Sequence, residues 1–274
     1  MLEIGRVQTL TIDYIDQRGA WLQTGEEPIL LPARQVPEDA RPGSPLEVFV
    51  YLHAGTPMAT MRHPLAQVGE FALLRVNTVD RNGTFLEWGM EKELLAPFSE
   101  QPKRMQQGRH YLVRVCLDDQ DRCFASGRID RWLEQENIEL QEGQSVDMLI
   151  WQFTDLGAKV ILNHRYGALL YRNEVLPGMK PGDALKGFVK SIRPDGKIDV
   201  TLHRGGKAGT DRAKATLLEA LEKTGFLPLH DHSPADLIRQ QLGMSKKTFK
   251  KAVGGLYKAG RIELTPKGIR LKKS

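Results

Sequence analysis

Three pairs of glycines recur along this chain at one spacing: Gly5 and Gly19, Gly69 and Gly83, and Gly143 and Gly157, each 14 residues apart. A further glycine follows each pair and opens a Gly-x-x-apolar stretch: Gly43-Ser44-Pro45-Leu46, Gly108-Arg109-His110-Tyr111 and Gly182-Asp183-Ala184-Leu185. Each copy closes on small residues, Ala59-Thr60, Ala125-Ser126 and Val200-Thr201. Landmarks repeated three times in one order mean three tandem copies of one module, spanning 1–64, 65–140 and 141–203. Modules this small bury little core each, so neighbours are expected to pack against one another.

Each module reads as five short strands. In the second, Phe71 to Val79 alternates loosely and ends at Asp80-Arg81-Asn82-Gly83. Asn-Gly is a strong hairpin signal because both residues tolerate positive φ. The equivalent turns are Asp16-Gln17-Arg18-Gly19 and Thr154-Asp155-Leu156-Gly157, and a short apolar segment follows in each copy, such as Ile29-Leu30-Leu31-Pro32. Five strands with glycine corners suit a small closed Greek-key barrel of the OB type. The fold class expected is mainly β, three OB-type five-stranded barrels followed by a small α+β domain.

That last domain follows a glycine-rich linker, 204–210. From Asp211 to Lys223 a helix is expected, with Ala213, Leu217, Ala220 and Leu221 on one face and Gly225 as its stop. Ser233, Pro234 and Asp236 form a capping arrangement for a second helix that ends at Leu242-Gly243. Ser245 caps a third helix running to about Ala259. The chain then reads as a hairpin, Arg261 to Leu264 and Ile269 to Leu271, joined by Thr265-Pro266-Lys267-Gly268. Three helices and a hairpin make a winged helix-turn-helix over 211–274.

On a helical wheel the third helix has one apolar face, Phe249, Ala252, Val253 and Leu256. Lys247, Lys250, Lys251 and Lys258 occupy the other, with Gly254 among them and Gly255 at its edge. Each glycine costs a helix about 1 kcal/mol relative to alanine, so two in a row call for a close neighbour or an approaching phosphate. The face lacks the Arg, Asn and Gln that carry most base-edge readout, and lysine alone neutralises phosphates without reading sequence. A solvated lysine surface is the plain alternative.

Charge is distributed unevenly. From Arg204 to Ser274 there are 16 Lys/Arg and 6 Asp/Glu, whereas modules one and two each carry a net −3 and module three +1. A basic terminal domain on a neutral-to-acidic body is an electrostatic footprint for a polyanion. No apolar run approaches the ~20 residues of a membrane helix, and Met1 to Gly5 is no cleavable leader. The expected place is the cytoplasm, with no membrane partner. Cys116 and Cys123 flank a short acidic turn and are read as small reduced strand residues, open to facing each other across a hairpin. His230 and His232 flank Asp231, which reads as a solvated loop, so no metal and no cofactor are expected. No nucleophile elbow, P-loop or dinucleotide fingerprint is present, so catalytic residues are expected to be none.

Gly157-Ala158-Lys159-Val160, Gly167-Ala168-Leu169-Leu170-Tyr171, Gly182-Asp183 and Asp195-Gly196-Lys197-Ile198-Asp199-Val200-Thr201-Leu202 resemble the S1 RNA-binding domain. The first two modules share its glycines and apolar framework. The resemblance implies single-strand binding by base stacking on aromatics of strands two and three beside basic residues. Two residues past the strand-two glycine, that position falls on Trp21, Phe85 and Lys159. Rings there are equally open to filling or capping their own barrels. The family's strand-three histidine maps to Tyr171, and the aromatic before the strand-two glycine to Leu156. Where the family often has an acid near the closing hairpin, this chain has Arg193. These departures shift module three toward phosphate contact through Lys159, Arg165, Lys190, Arg193 and Lys197.

Met244 to Lys258, closing with Lys267-Gly268-Ile269-Arg270-Leu271, resembles the bacterial conserved virulence factor B family, and the similarity extends along the chain. It implies an RNA-binding regulator of gene expression. The partner expected is single-stranded RNA. A DNA-binding transcriptional regulator acting through the winged helix, and a protein-interaction scaffold using the acidic first two barrels, are the alternatives.

Overall fold

The computed structural model describes residues 2–203 and 207–272. The first barrel consists of β1 (Arg6–Asp16), β2 (Gly19–Leu22), β3 (Ile29–Pro32), β4 (Pro45–His53) and β5 (Thr56–Thr60), closed in the order β1-β2-β3-β5-β4. The second repeats it with β6 (Phe71–Val79), β7 (Gly83–Glu87), β8 (Leu94–Pro97), β9 (His110–Leu117) and β10 (Cys123–Ser126). The third has β11 (Ser145–Thr154), β12 (Gly157–Leu162), β13 (Tyr166–Tyr171), β14 (Ala184–Ile192) and β15 (Ile198–Thr201), closed in the order β11-β12-β13-β15-β14. A short 3-10 turn follows the third strand of every barrel, at Ala33–Gln35, Phe98–Glu100 and Arg172–Glu174.

The repeated glycines have one physical cause. All nine carry positive φ, from +75° at Gly5 to +158° at Gly83, where other side chains are strained. At the start of the second strand the constraint is also steric. A Cβ on Gly19, Gly83 or Gly157 would collide with the carbonyl oxygen of Leu31, Ala96 or Leu170 on the neighbouring strand. The first strand of each barrel also breaks register at one place, between Ile12 and Tyr14, Val76 and Thr78, and Ile150 and Gln152. A bulge there sharpens the local twist and turns the residue after it outward.

The structure divides into two compact units, residues up to 138 with 147–185, and 139–146 with those from 186 onward. Within the first, barrel one is filled by Ile12, Leu22, Leu31, Val48 and Val50, and barrel two by Leu74, Val76, Leu86, Leu94, Val113 and Val115. The expected module-to-module packing is present here. The Val68 amide donates to the Gly5 carbonyl at 2.9 Å, the Val7 amide to Gln67 Oε1 at 2.7 Å, and Arg34 pairs with Glu91 at 2.8 Å. Phe71, Ile129 and Ile161 form a second buried seam with Trp132, Leu149 and Trp151 packed against it.

In the second unit, α1 (Lys207–Thr224), α2 (Ala235–Leu242) and α3 (Lys246–Lys258) pack with a three-stranded sheet of β16 (Phe226–Leu227), β17 (Ile262–Thr265) and β18 (Gly268–Leu271), in the order β16-β18-β17. Leu217, Leu221, Ile238, Phe249, Val253, Leu256, Ile262 and Ile269 share its core. Truncating a ring as buried as Phe249 costs about 3–5 kcal/mol.

Two local expectations are corrected. The linker does not extend to residue 210, because α1 already begins at Lys207; residues 204–206 lie outside the described residues. Ser233 does not cap α2: its buried hydroxyl accepts the His230 amide at 2.9 Å, and Pro234 stands at the cap without a side-chain bond. Ser245 does cap α3, accepting the Thr248 amide at 3.2 Å. The short strand β16 was not foreseen; it pairs with β18 and widens the wing to three strands.

Candidate nucleic-acid interface

One outward row crosses strands two, three and five of the first two barrels. In barrel one, Trp21 pairs laterally with Leu30, and Leu30 with Met58. In barrel two the row is Phe85, Leu95 and Phe124. Residues directly opposite in register point to the same face of a sheet, so each row forms one half-exposed apolar strip. In barrel three Lys159 sits opposite Leu169. The residue before the closing small pair, Met58 and Phe124 in the first two copies, is Asp199 in the third.

The three strips differ in chemistry. Trp21 is already occupied by its own barrel: Tyr14 stacks on it with centroids 5.8 Å apart and planes 19° apart, and the Arg18 guanidinium lies 4.6 Å from its ring. Tyr14 is 43% exposed, which makes it the outer ring of the pair. Phe85 and Phe124 line an open groove of about 1320 Å³ with Tyr51, Trp88 and Leu95. The cations at its rim are answered locally, Arg34 and Arg62 by Glu91 and Arg122 by Asp118. Phe124 and Tyr14 were missed by sequence reasoning. Alignment of the closing pairs Ala59-Thr60 and Ala125-Ser126 was the signal for Phe124, and the alternation of β1 was the signal for Tyr14.

Most basic side chains expected to serve phosphate in barrel three are held by acids. Arg165 pairs with Glu134 at 2.7 Å and lies over the Tyr166 ring. Arg193 makes a two-pronged bond to Asp199, Nε to Oδ2 at 3.1 Å and Nη2 to Oδ1 at 2.8 Å. Lys197 reaches Asp195 at 2.8 Å, and that ammonium holds the Asp195 carboxyl below the ordinary carboxylate range. Lys159 places its Nζ 4.9 Å from the Trp151 ring centroid, a cation–π contact. Tyr171 is half-buried at the end of β13, Lys190 is exposed on β14, and both have interactions of their own.

The α3 face is more open. Lys247, Lys250, Lys251 and Lys258 are exposed, and Lys250 pairs with Asp231 at a long 3.6 Å. The two glycines separate in role. A Cβ on Gly255 would stand 2.6 Å from Lys214 Cε on α1, so this glycine admits a packed neighbour. A Cβ on Gly254 would meet no atom of the described residues within 4 Å.

The two cysteines are free and are not direct cross-strand partners: Cys116 lies opposite Phe124, and Cys123 opposite Leu117. Burial pushes the Cys116 thiol up to about 11 and the Cys123 thiol to about 12. Among the described residues no three His, Cys, Asp or Glu side chains gather to hold a metal ion, and no helix is long and apolar enough to cross a membrane.

The family comparisons fall on the two kinds of domain just described. Residues 4–62 match the S1 domain and residues 215–271 the CvfB-like winged helix domain. The chain is similar to the conserved virulence factor B proteins along most of its length. It is 24% identical to conserved virulence factor B of Staphylococcus epidermidis over 250 residues, covering 84% of this chain and 83% of that one. The uncharacterized protein YitL of Bacillus subtilis is 25% identical over 268 residues, covering 94% and 90%. A solved multidomain protein with nucleic acid binding domains from Streptococcus pneumoniae is 22% identical, with 98% of each chain covered and a TM-score of 0.40. The S1 match falls on barrel one, whereas the S1-like motifs are most complete in barrel three. Both matched domains are nucleic-acid-binding types, and neither is a catalytic one.

Proposed function

We propose that this chain is a non-catalytic cytoplasmic protein that binds single-stranded RNA and regulates gene expression after transcription. The outward row on strands two, three and five carries the proposal. Its rings in barrel two, Phe85 on strand two and Phe124 on strand five, supply flat apolar faces for bases, and in barrel one that face is Tyr14 on strand one, the outer ring over Trp21. Stacking one base on such a ring contributes about 1–3 kcal/mol whatever the base. Phosphate contact then falls first to the exposed α3 lysines Lys247, Lys251 and Lys258, because Arg165, Arg193 and Lys197 would have to leave their acids, Lys159 its ring contact with Trp151, and Lys190 the interaction it already has. The working parts are the barrels at 1–64, 65–140 and 141–203 and the winged helix from 207 onward.

The test is the affinity of the full chain for single-stranded RNA, single-stranded DNA and duplex DNA of one length at one salt concentration. Both single strands should bind more tightly than duplex DNA, because stacking needs unpaired bases, and RNA more tightly than DNA, because its 2′-hydroxyl adds a hydrogen-bonding group. Tightest binding to duplex DNA would favour the transcriptional reading through α3. A second reading has its own observation: the Phe85–Phe124 groove lies in acidic barrels and its rim charges are internally paired, which suits a protein partner better than a polyanion. Phe85→Ala with Phe124→Ala would then leave RNA affinity unchanged.

A further inference from the structure

Gly254 lies on the polar face of α3, and among the described residues nothing stands within 4 Å of where its side chain would be. On an α-helix the surface neighbours of position 254 are those three and four residues away. On this face they are Lys250, Lys251, Tyr257 and Lys258. All four are exposed, Tyr257 by 56%. Three ammonium groups and one aromatic ring therefore surround an open notch floored by helix backbone.

Helical side chains lean toward the N-terminus, so the Tyr257 ring covers the turn that contains Gly254 rather than the turn after it. The lysines stand on both sides of that notch. A glycine mid-helix costs about 1 kcal/mol relative to alanine, and among the described residues no atom takes the space it leaves. Gly255, one residue on, supplies the contrast, because the Lys214 side chain takes its space.

We propose that the notch over Gly254 is a nucleotide subsite of α3: a phosphate seats above Gly254 between Lys251 and Lys258, and an unpaired base stacks on Tyr257. This rests on the RNA-binding reading above and deepens it. The chemistry selects a single strand over a duplex, since a paired base has no face to offer the ring, while phosphate alone would need only the lysines. Lys250 would contribute after leaving Asp231, whose 3.6 Å contact is between two largely exposed groups.

The experiment uses the full chain and a fluorescein-labelled single-stranded RNA of about a dozen nucleotides, the span of such sites, with a duplex DNA of equal length beside it. Gly254→Ala and Gly254→Leu fill the notch with better helix formers, so both should raise the melting temperature yet weaken RNA binding, leucine more than alanine. Tyr257→Ala should weaken RNA binding roughly tenfold, and Tyr257→Phe should retain it. Wild-type affinity in folded Gly254→Leu and Tyr257→Ala variants would overturn the subsite while leaving the RNA reading intact. A larger loss on duplex DNA than on RNA would overturn the unpaired-base assignment. Absence of RNA binding by the unaltered chain would remove both.

Discussion

His164 accepts the backbone N–H of Phe71 through Nδ1 at 2.9 Å, and the two rings lie parallel, 7° apart, with centroids 6.3 Å apart. His164 holds a positive φ of +55° at the β12–β13 turn, a conformation that aims its ring at the start of β6. Arg114 approaches the Phe71 ring at 5.9 Å and the Trp132 ring at 4.6 Å, so one cation bridges two rings of the buried seam. A tandem array of small barrels gains rigidity from such joints rather than from large individual cores.

Replacing His164 with alanine should therefore destabilise the chain by about 0.5–1.5 kcal/mol, the net contribution of one part-buried hydrogen bond. Urea unfolding measures it. Stability equal to wild type would show that the joint contributes nothing to folding.

Gly157→Ala should be damaging in the opposite sense to Gly254→Ala. At Gly157 the backbone φ is +147°, and a methyl group would collide with the Leu170 carbonyl oxygen. Strain at such φ costs about 1–3 kcal/mol before the collision is added. A falling melting temperature for Gly157→Ala and a rising one for Gly254→Ala would separate a structural glycine from one kept for a ligand.

The buried thiols set an alkaline limit. Burial raises Cys116 to about 11 and Cys123 to about 12 from an ordinary 9.0, so above that ordinary value the unfolded chain loses protons that the folded one keeps. Stability is then greatest below pH 9 and falls as pH rises toward 11. The double variant Cys116→Ala, Cys123→Ala should flatten that decline in a melting-temperature profile. In the native protein at pH 8 iodoacetamide should modify both thiols slowly, and in urea quickly.

The architecture was legible because its punctuation is local. A glycine at positive φ or beneath a carbonyl leaves its mark at that one position, so Gly19, Gly83 and Gly157 announce three barrels. Ser245 announces α3 for the same reason. Ser233 carries the same local signal and fails, because His230 offers its hydroxyl a competing amide. The start of α1 at Lys207 was hidden by Gly209 and Thr210, poor helix formers whose propensity is overridden. Site chemistry was less legible, since partners lie far off in sequence. Glu134 neutralises Arg165 from 31 residues away, and Phe124 joins Phe85 only once β10 lies parallel to β8.

Changing Lys247, Lys250 and Lys251 together to alanine should weaken single-stranded RNA binding and flatten its salt dependence. Each phosphate contact to a single strand contributes about 0.7 to the slope of log K against log salt, so three contacts account for about 2. Lys250 already pairs with Asp231, and its removal also frees that acid near the RNA path, which adds to the loss of affinity. The fold should persist, because Phe249, Ala252, Val253 and Leu256 keep the opposite face of α3 buried and alanine is a better helix former than lysine. Circular dichroism checks the fold, and titrations at several salt concentrations read the slope. A folded triple variant with wild-type affinity and slope would assign this face to solvent, and phosphate contact would then pass to Lys159 and Lys190 on the third barrel.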